Sequence, residues 1–295
     1  MMRPMSLWES KESTGKVSLE ELFAGGIASG KDEKSLKDIA YILCRGGWPQ
    51  AVTESNPHIA LKPVKSYVEM LVETDVINID GIKRNPTRAK TILRAYARNV
   101  SAAAKLQTLQ KDLESNQVAI DARTIESYIN AFKKLFVIED VEAWSPALRS
   151  KATLRTADTR QFVDPSIAAT LLDASADDLM TDPNTFGLLF ESLCIRDLRI
   201  YAEKLNGQIF NYRDSRGLEA DAIIHLDNGK WGAIEVKLGG EELIENGASH
   251  LLQLKETIDI KKMKAPLFLM VLVATGFAYK RPDGVLVVPI GCLKN

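Results

Sequence analysis

Three ionisable residues in the last third of the chain have the types and the spacing to hold a divalent metal and work beside it. Asp221 is followed, after thirteen intervening residues, by Glu235-Val236-Lys237. The two acids fall in adjacent strand-like runs, so their carboxylates can converge on one ion. A lysine two residues after the second acid points to the same face. Such a centre suits metal-assisted hydrolysis of a phosphodiester. The ion activates a water and stabilises charge on the phosphate, while Lys237 orients that water or neutralises the developing charge. Asp221 and Glu235 are the expected ligands of Mg²⁺, or of Mn²⁺. Glu191, at the margin of an apolar helical stripe upstream, is a candidate third carboxylate acting through water, and Gln253 a candidate for positioning substrate. The bland reading is a surface ion-pair cluster in which the two acids, about 5 Å apart, repel unless a cation sits between them.

The register of the hairpin that carries the acids follows from its apolar residues. Ala222, Ile224 and Leu226 alternate with Asp221, Ile223 and His225; Ile234, Val236 and Leu238 alternate with Ala233, Glu235 and Lys237. A two-residue Asn228-Gly229 turn would pair Ala222 with Glu235 and mix apolar with charged positions. A three-residue Asp227-Asn228-Gly229 loop, with glycine left-handed, pairs Ala222 with Ile234. That register sets Asp221 opposite Glu235, with Lys237 on the same face.

The elements that must position this hairpin are legible on either side. Asp182-Pro183 is an N-cap followed by proline at the first helical position. It opens a long helix with Phe186, Leu189, Phe190, Leu193, Leu198 and Tyr201 apolar. Strands are expected near 208–213, 219–226 and 231–238, a helix near 241–258, and apolar strands near 266–274 and 285–289. The order is αβββαβ with one further strand.

The first half reads as helical. Residues 34–78 are short helices broken by Arg45-Gly46-Gly47-Trp48-Pro49. In 83–139 the clearest helix starts at Asp121 as N-cap and puts Ala122, Ile125, Ile129, Phe132 and Phe136 on one stripe. Arg123, Ser127, Asn130 and Lys134 then face the opposite side. The apolar run Leu135-Phe136-Val137-Ile138, with Val141, suggests a short hairpin, so helix and hairpin suit a winged helix-turn-helix whose outward residues contact DNA. The alternative is a solvated face on a spacer or a protein-binding module. Arg149, Lys151, Arg155 and Arg160 make a basic connector able to follow a phosphate backbone.

Composition narrows the classes. The chain has 295 residues, 45% hydrophobic, with 38 basic against 39 acidic residues, so any nucleic-acid site must be a local patch. Cys44, Cys194 and Cys292 are far apart, and His58, His225 and His250 do not cluster, which argues against a disulfide framework or a zinc site. The longest apolar run, 266–276, is too short to span a bilayer, and no signal peptide is apparent. A cytoplasmic protein with no membrane partner is expected. Thr14-Gly15-Lys16-Val17 is not a phosphate loop, since Ser10 and Val17 stand where glycine and Ser/Thr are required.

Several segments together resemble one group of proteins. They are Met2-Arg3-Pro4-Met5-Ser6-Leu7, Gly46-Gly47-Trp48-Pro49, Phe162-Val163-Asp164-Pro165-Ser166, Phe186-Gly187 with Phe190-Glu191, Tyr212-Arg213-Asp214, Glu219-Ala220-Asp221 and Glu235-Val236-Lys237-Leu238. The chain is similar to the carboxyl-terminal part of bacterial and archaeal AAA-type ATP-binding proteins that end in a restriction-endonuclease-like domain. The resemblance implies an α/β chain, α+β overall. Residues 1–78 would be a remnant of ATPase core and helical lid, 79–145 a winged-helix-like domain, and 146–295 a restriction-endonuclease-like αβββαβ domain of PD-(D/E)xK type. It also implies that ATP is bound only in an intact protein, where Gly47 and Pro49 would lie near the nucleotide. The expected function is a Mg²⁺-dependent nuclease-like domain with a winged-helix DNA-binding module. The alternative is a non-catalytic DNA- or protein-binding portion of an ATPase switch.

Overall fold

Backbone hydrogen bonding and capping residues set the elements, and the computed structural model describes residues 2–145, 158–214, 217–258 and 263–295. In chain order these are β1 (Val17–Ser18), α1 (Leu19–Phe23), β2 (Gly30–Asp32), α2 (Leu36–Arg45), α3 (Pro49–Thr53), α4 (Pro57–Ala60), α5 (Lys62–Met70) and, after a π-helical turn, α6 (Val76–Asn78). There follow α7 (Pro86–Arg98), α8 (Leu106–Ser115), α9 (Ala122–Lys134), α10 (Pro165–Leu171), α11 (Ala176–Thr181) and α12 (Pro183–Lys204). The rest are β3 (Gly207–Arg213), β4 (Glu219–Leu226), β5 (Trp231–Lys237), α13 (Glu241–Thr257), β6 (Leu269–Val273), β7 (Gly276–Lys280), β8 (Leu286–Pro289) and β9 (Leu293–Lys294). The fold is a mixed α/β one, and the expected order of helix, three strands, helix and strand is realised by α12 to β6.

The described residues fall into two compact units. One comprises 2–4, 40–140 and 158–192; the other comprises 5–39, 141–145, 193–214, 217–258 and 263–295.

In the first unit the helices pack through stripes that include Ile92, Leu93, Tyr96, Leu109, Leu113, Ile125, Ile129 and Phe132, all buried. Asp121 caps α9 by accepting from Thr124 N at 3.0 Å. Phe136 takes a left-handed φ of 55° and is 62% exposed, so it leaves the apolar stripe. Val137 and Ile138 are buried, yet their partners come from farther along the chain: Val163 N donates to Val137 O at 3.0 Å and Ile138 bridges Phe162. The apolar run is thus one side of an antiparallel pairing with 161–163.

Two motifs of this unit meet. Asp164 caps α10, and its carboxylate accepts from Gly47 N at 2.9 Å, Ser166 N at 2.9 Å and Ser166 Oγ at 2.5 Å. Trp48 Nε1 donates to Ser166 Oγ at 2.9 Å. Gly46 is required here: its φ is +76°, and a Cβ would lie 2.3 Å from Ser166 Oγ.

The second unit is built on a seven-stranded sheet in the order β2-β7-β8-β6-β5-β4-β3. Strands β3, β4 and β5 are antiparallel, β5, β6 and β8 parallel. Helix α13 packs on β4, β5 and β6 over a core that includes Ile223, Ala233, Ala248, Leu251 and Val271. The amino-terminal segment supplies an edge: β2 pairs antiparallel with β7, and β1 pairs parallel with β9. Upstream of it, Leu7 N donates to Asp197 Oδ2 at 2.9 Å, where Arg196 pairs with the same carboxylate at 2.7 Å. The segment 141–145 is tied to β3 by Trp144 N donating to Asn211 O at 2.6 Å. The Trp144 ring lies 4.7 Å, centroid to centroid, from that of Trp231 at the start of β5, and 6.1 Å from Tyr212. Among the described residues no helix is long and apolar enough to cross a membrane.

Candidate metal centre

The β4–β5 turn has the three-residue form that the apolar pattern selects. Leu226 N donates to Lys230 O at 2.8 Å, and Gly229 takes a φ of +78°. Ala222 pairs with Ile234 and Ile224 with Gly232. One step outward, Asp221 stands opposite Glu235. The ladder stops there because the Asp221 carboxylate intervenes, Oδ2 accepting from Val236 N at 2.7 Å.

Lys237 Nζ lies 2.6 Å from Glu235 Oε2 and 3.8 Å from Asp221 Oδ2. The three sequence-predicted groups are therefore brought together. Their surroundings differ: the Glu235 side chain is 1% exposed, that of Asp221 18% and that of Lys237 24%. Burial, with the Asp221 charge adding to it and Lys237 opposing, raises the Glu235 carboxyl to about 8. Burial also raises Asp221, against Lys237 and the Val236 N–H. Glu235 Oε1 is buried and has no hydrogen-bond partner.

Helix α13 closes over this face at Gly247. A Cβ there would meet Glu235 Cβ at 3.4 Å and Lys237 Cε at 3.5 Å, ordinary van der Waals distances, so the helix packs directly over the two charged side chains. One turn on, His250 Nδ1 comes within 4.0 Å of Glu235 Oε2. Neither Gly247 nor His250 was singled out by sequence reasoning. Their signal is the i, i+3 spacing on α13, which gains meaning only once that helix is known to cover the carboxylates.

Glu191 lies half-buried on α12, in the first unit, whereas Asp221, Glu235 and Lys237 belong to the second. Gln253 is exposed on α13, its Nε2 donating to Ser249 Oγ at 3.3 Å, and lines a cleft with Gly217, Leu218 and His250. On α9, Arg123, Asn130 and Lys134 are exposed, as the helical period requires. Two of the four outward residues are engaged within the unit: Arg84 Nη2 donates to Ser127 Oγ at 3.3 Å, and Lys134 lies 3.6 Å from Asp80. Arg149, Lys151 and Arg155 lie outside the described residues. Arg160 is a structural tie, pairing with Asp140 at 2.8 Å and donating to Ala104 O at 2.8 Å. Gly47 N is taken by Asp164, and Pro49 opens α3. Among the described residues no group of three or more His, Cys, Asp and Glu side chains that could hold a metal is found; Asp221 and Glu235 are the two carboxylates brought together.

Two family matches run along the chain. Residues 36–178 match a domain of unknown function, DUF8612. Residues 186–293 match a second domain of unknown function, DUF4143, which is found at the carboxyl terminus of AAA-ATPase-like proteins. The second match spans α12 to β8 and so takes in Asp221, Glu235 and Lys237. No curated protein matches the sequence.

Proposed function

We propose that the second unit is a PD-(D/E)xK-type domain hydrolysing phosphodiester bonds of DNA with Mg²⁺ or Mn²⁺, in a cytoplasmic protein built as the carboxyl-terminal part of an AAA-type ATP-binding protein. The observation that carries this reading is Glu235 Oε1, a buried carboxylate oxygen with no partner, on the strand position opposite Asp221. Burying such an atom costs on the order of 1–3 kcal/mol, which a cation between the two acids would offset.

The donor set fits a hard divalent ion. Mg²⁺ takes few carboxylates and keeps several waters, and Asp221 and Glu235 supply two oxygen donors. When bound, the ion would polarise the phosphate and lower the pKa of a coordinated water. The chain's own residues do the rest. Asp221 is oriented by Val236 N. Lys237, between the acids, holds an ammonium where it can orient water or offset charge on the phosphate. Gln253 and His250 line the cleft beside the centre and would contact substrate. DNA contact through α9 would rest on Arg123 and Asn130, with Ser127 and Lys134 partly committed to Arg84 and Asp80. ATP would enter only through an ATPase portion of an intact protein, with that portion or another protein as partner.

The 2.6 Å Lys237–Glu235 pair favours a second reading. In it the centre is a neutralised structural pair, and the chain is a non-catalytic DNA- or protein-binding part of an ATPase switch. Incubation of the purified chain with supercoiled, linear and single-stranded DNA in Mg²⁺ or Mn²⁺ separates the two. Cleavage that disappears in Glu235→Ala/Lys237→Ala supports the nuclease reading; absence of cleavage with both metals and all three substrates supports the binding module.

A further inference from the structure

Phe136 breaks two local rules at once. It follows α9 with a left-handed φ of 55°, and it is 62% exposed. Its backbone closes the helix. Phe136 N donates to Lys133 O at 3.0 Å and Val137 N to Phe132 O at 2.9 Å, the paired bonds of a Schellman turn. Glycine or asparagine usually fills the left-handed position of such a turn. Among the described residues Lys11, Ser101, Gln117, Asp173 and Asn206 also take a positive φ without being glycine; Phe136 alone of these is apolar. A bulky side chain is strained there, and an exposed ring gains little from burial. Glycine would serve the turn better on both counts. Residues retained against local preference concentrate where a protein meets something else.

The neighbours of Phe136 indicate what it meets. Lys133 and Lys134 precede it in the last turn of α9, and Arg123 and Asn130 are exposed on the same helix. Lys133 pairs with Asp140 at 2.8 Å and Lys134 lies 3.6 Å from Asp80, yet their side chains stay 40% and 60% exposed. An aromatic ring beside exposed cations suits single-stranded nucleic acid: a base stacks on the ring while the cations follow the backbone. We propose that Phe136 is a stacking platform for an unpaired base, so that the helical unit takes single-stranded DNA in preference to duplex; the inference rests on the DNA reading of α9 above. In a duplex the faces of the bases are already covered by their neighbours, which leaves the ring nothing to stack on. The turn's own hydrogen bonds fix the backbone that carries the ring, so little ordering is needed when a base settles on it.

The test uses the full chain in a metal chelator, so that no strand is cut. The probe is a short DNA oligonucleotide containing 2-aminopurine, offered single-stranded or annealed to its complement. Wild-type protein is expected to bind the single strand more tightly and to change the 2-aminopurine emission as the base stacks. Phe136→Gly should weaken that binding by about fivefold or more and abolish the emission change. The salt dependence of binding should stay the same, because the ring neutralises no phosphate. Phe136→Trp should retain both affinity and emission change. Phe136→Gly should also melt no lower than wild type, since glycine suits the turn. A lower melting temperature means that Phe136 is retained for packing and defeats the proposal. Single-strand binding that Phe136→Gly leaves intact, or tighter binding of the duplex, overturns the role of Phe136 and leaves the DNA reading standing. No binding of either form at low salt overturns both.

Discussion

Asp164 and Glu235 are both buried acids approached by a glycine from another element, yet their surroundings are opposite. Asp164 accepts from Gly47 N, Ser166 N and Ser166 Oγ, so its carboxylate is wrapped by donors and ties two distant segments together. Glu235 has a lysine on one oxygen and nothing on the other, with a second acid alongside. A carboxylate whose lone pairs are met by fixed donors has a structural task. One left short of donors, in a place that raises its proton affinity, has capacity to bind something else. Identity and burial alone do not separate the two; the count of satisfied oxygens does.

That contrast can be broken by substitution. The largest effect is expected at Asp164→Ala, which removes a helix cap and strands two buried donors, costing about 3 kcal/mol in urea unfolding. A cost under about 1 kcal/mol would erase the distinction. Glu235→Gln should behave differently. Because burial and the Asp221 charge push the Glu235 carboxyl toward its neutral form, glutamine is a close stand-in for it, and stability should change by about 0.5 kcal/mol or less. The pH dependence sharpens this. Between about pH 5 and 8 the folded chain keeps a proton that the unfolded chain has released. Stability should therefore be greatest below the ordinary glutamate range, fall as pH rises through that window and level off above it. Glu235→Gln should flatten the fall, and an unchanged slope would show that Glu235 is not its source. Thermal melts should also show Mn²⁺ raising the melting temperature of the wild-type chain and not of Glu235→Gln. The smallest effect is expected at Gly247→Ala. The new methyl meets its neighbours at 3.4 Å or beyond, so the helix should gain about 0.5–1 kcal/mol. A loss instead would mean that α13 is held at its closest possible approach to Glu235.

The centre was readable from the sequence to the extent that it depends on local pattern. Apolar alternation in β4 and β5, with glycine at the end of Asp227-Asn228-Gly229, determined the pairing of Ala222 with Ile234 and so the meeting of Asp221, Glu235 and Lys237. Caps at Asp121 and Asp182 were equally local. What escaped depends on partners far along the chain. Strands β1 and β2, of two and three residues, are too short to show a period, so nothing in them announces that they pair with β9 and β7. The run Leu135–Ile138 had the composition of a hairpin strand, but its partners are Phe162 and Val163. His250 escaped because helical periodicity says which residues share a face and not what that face covers.

The contact of Trp144 with Trp231 gives the second unit a built-in optical gauge. Two of the chain's four tryptophans are in this one contact, at the foot of the strand that carries Glu235 and Lys237 four and six residues later. Indoles this close couple electronically, so the near-ultraviolet circular dichroism of the pair depends on the seating of segment 141–145 against β3 and β5. Detaching that segment should collapse the signal before the far-ultraviolet spectrum changes. The state of the sheet that carries Glu235 and Lys237 can thus be followed by light, without a label.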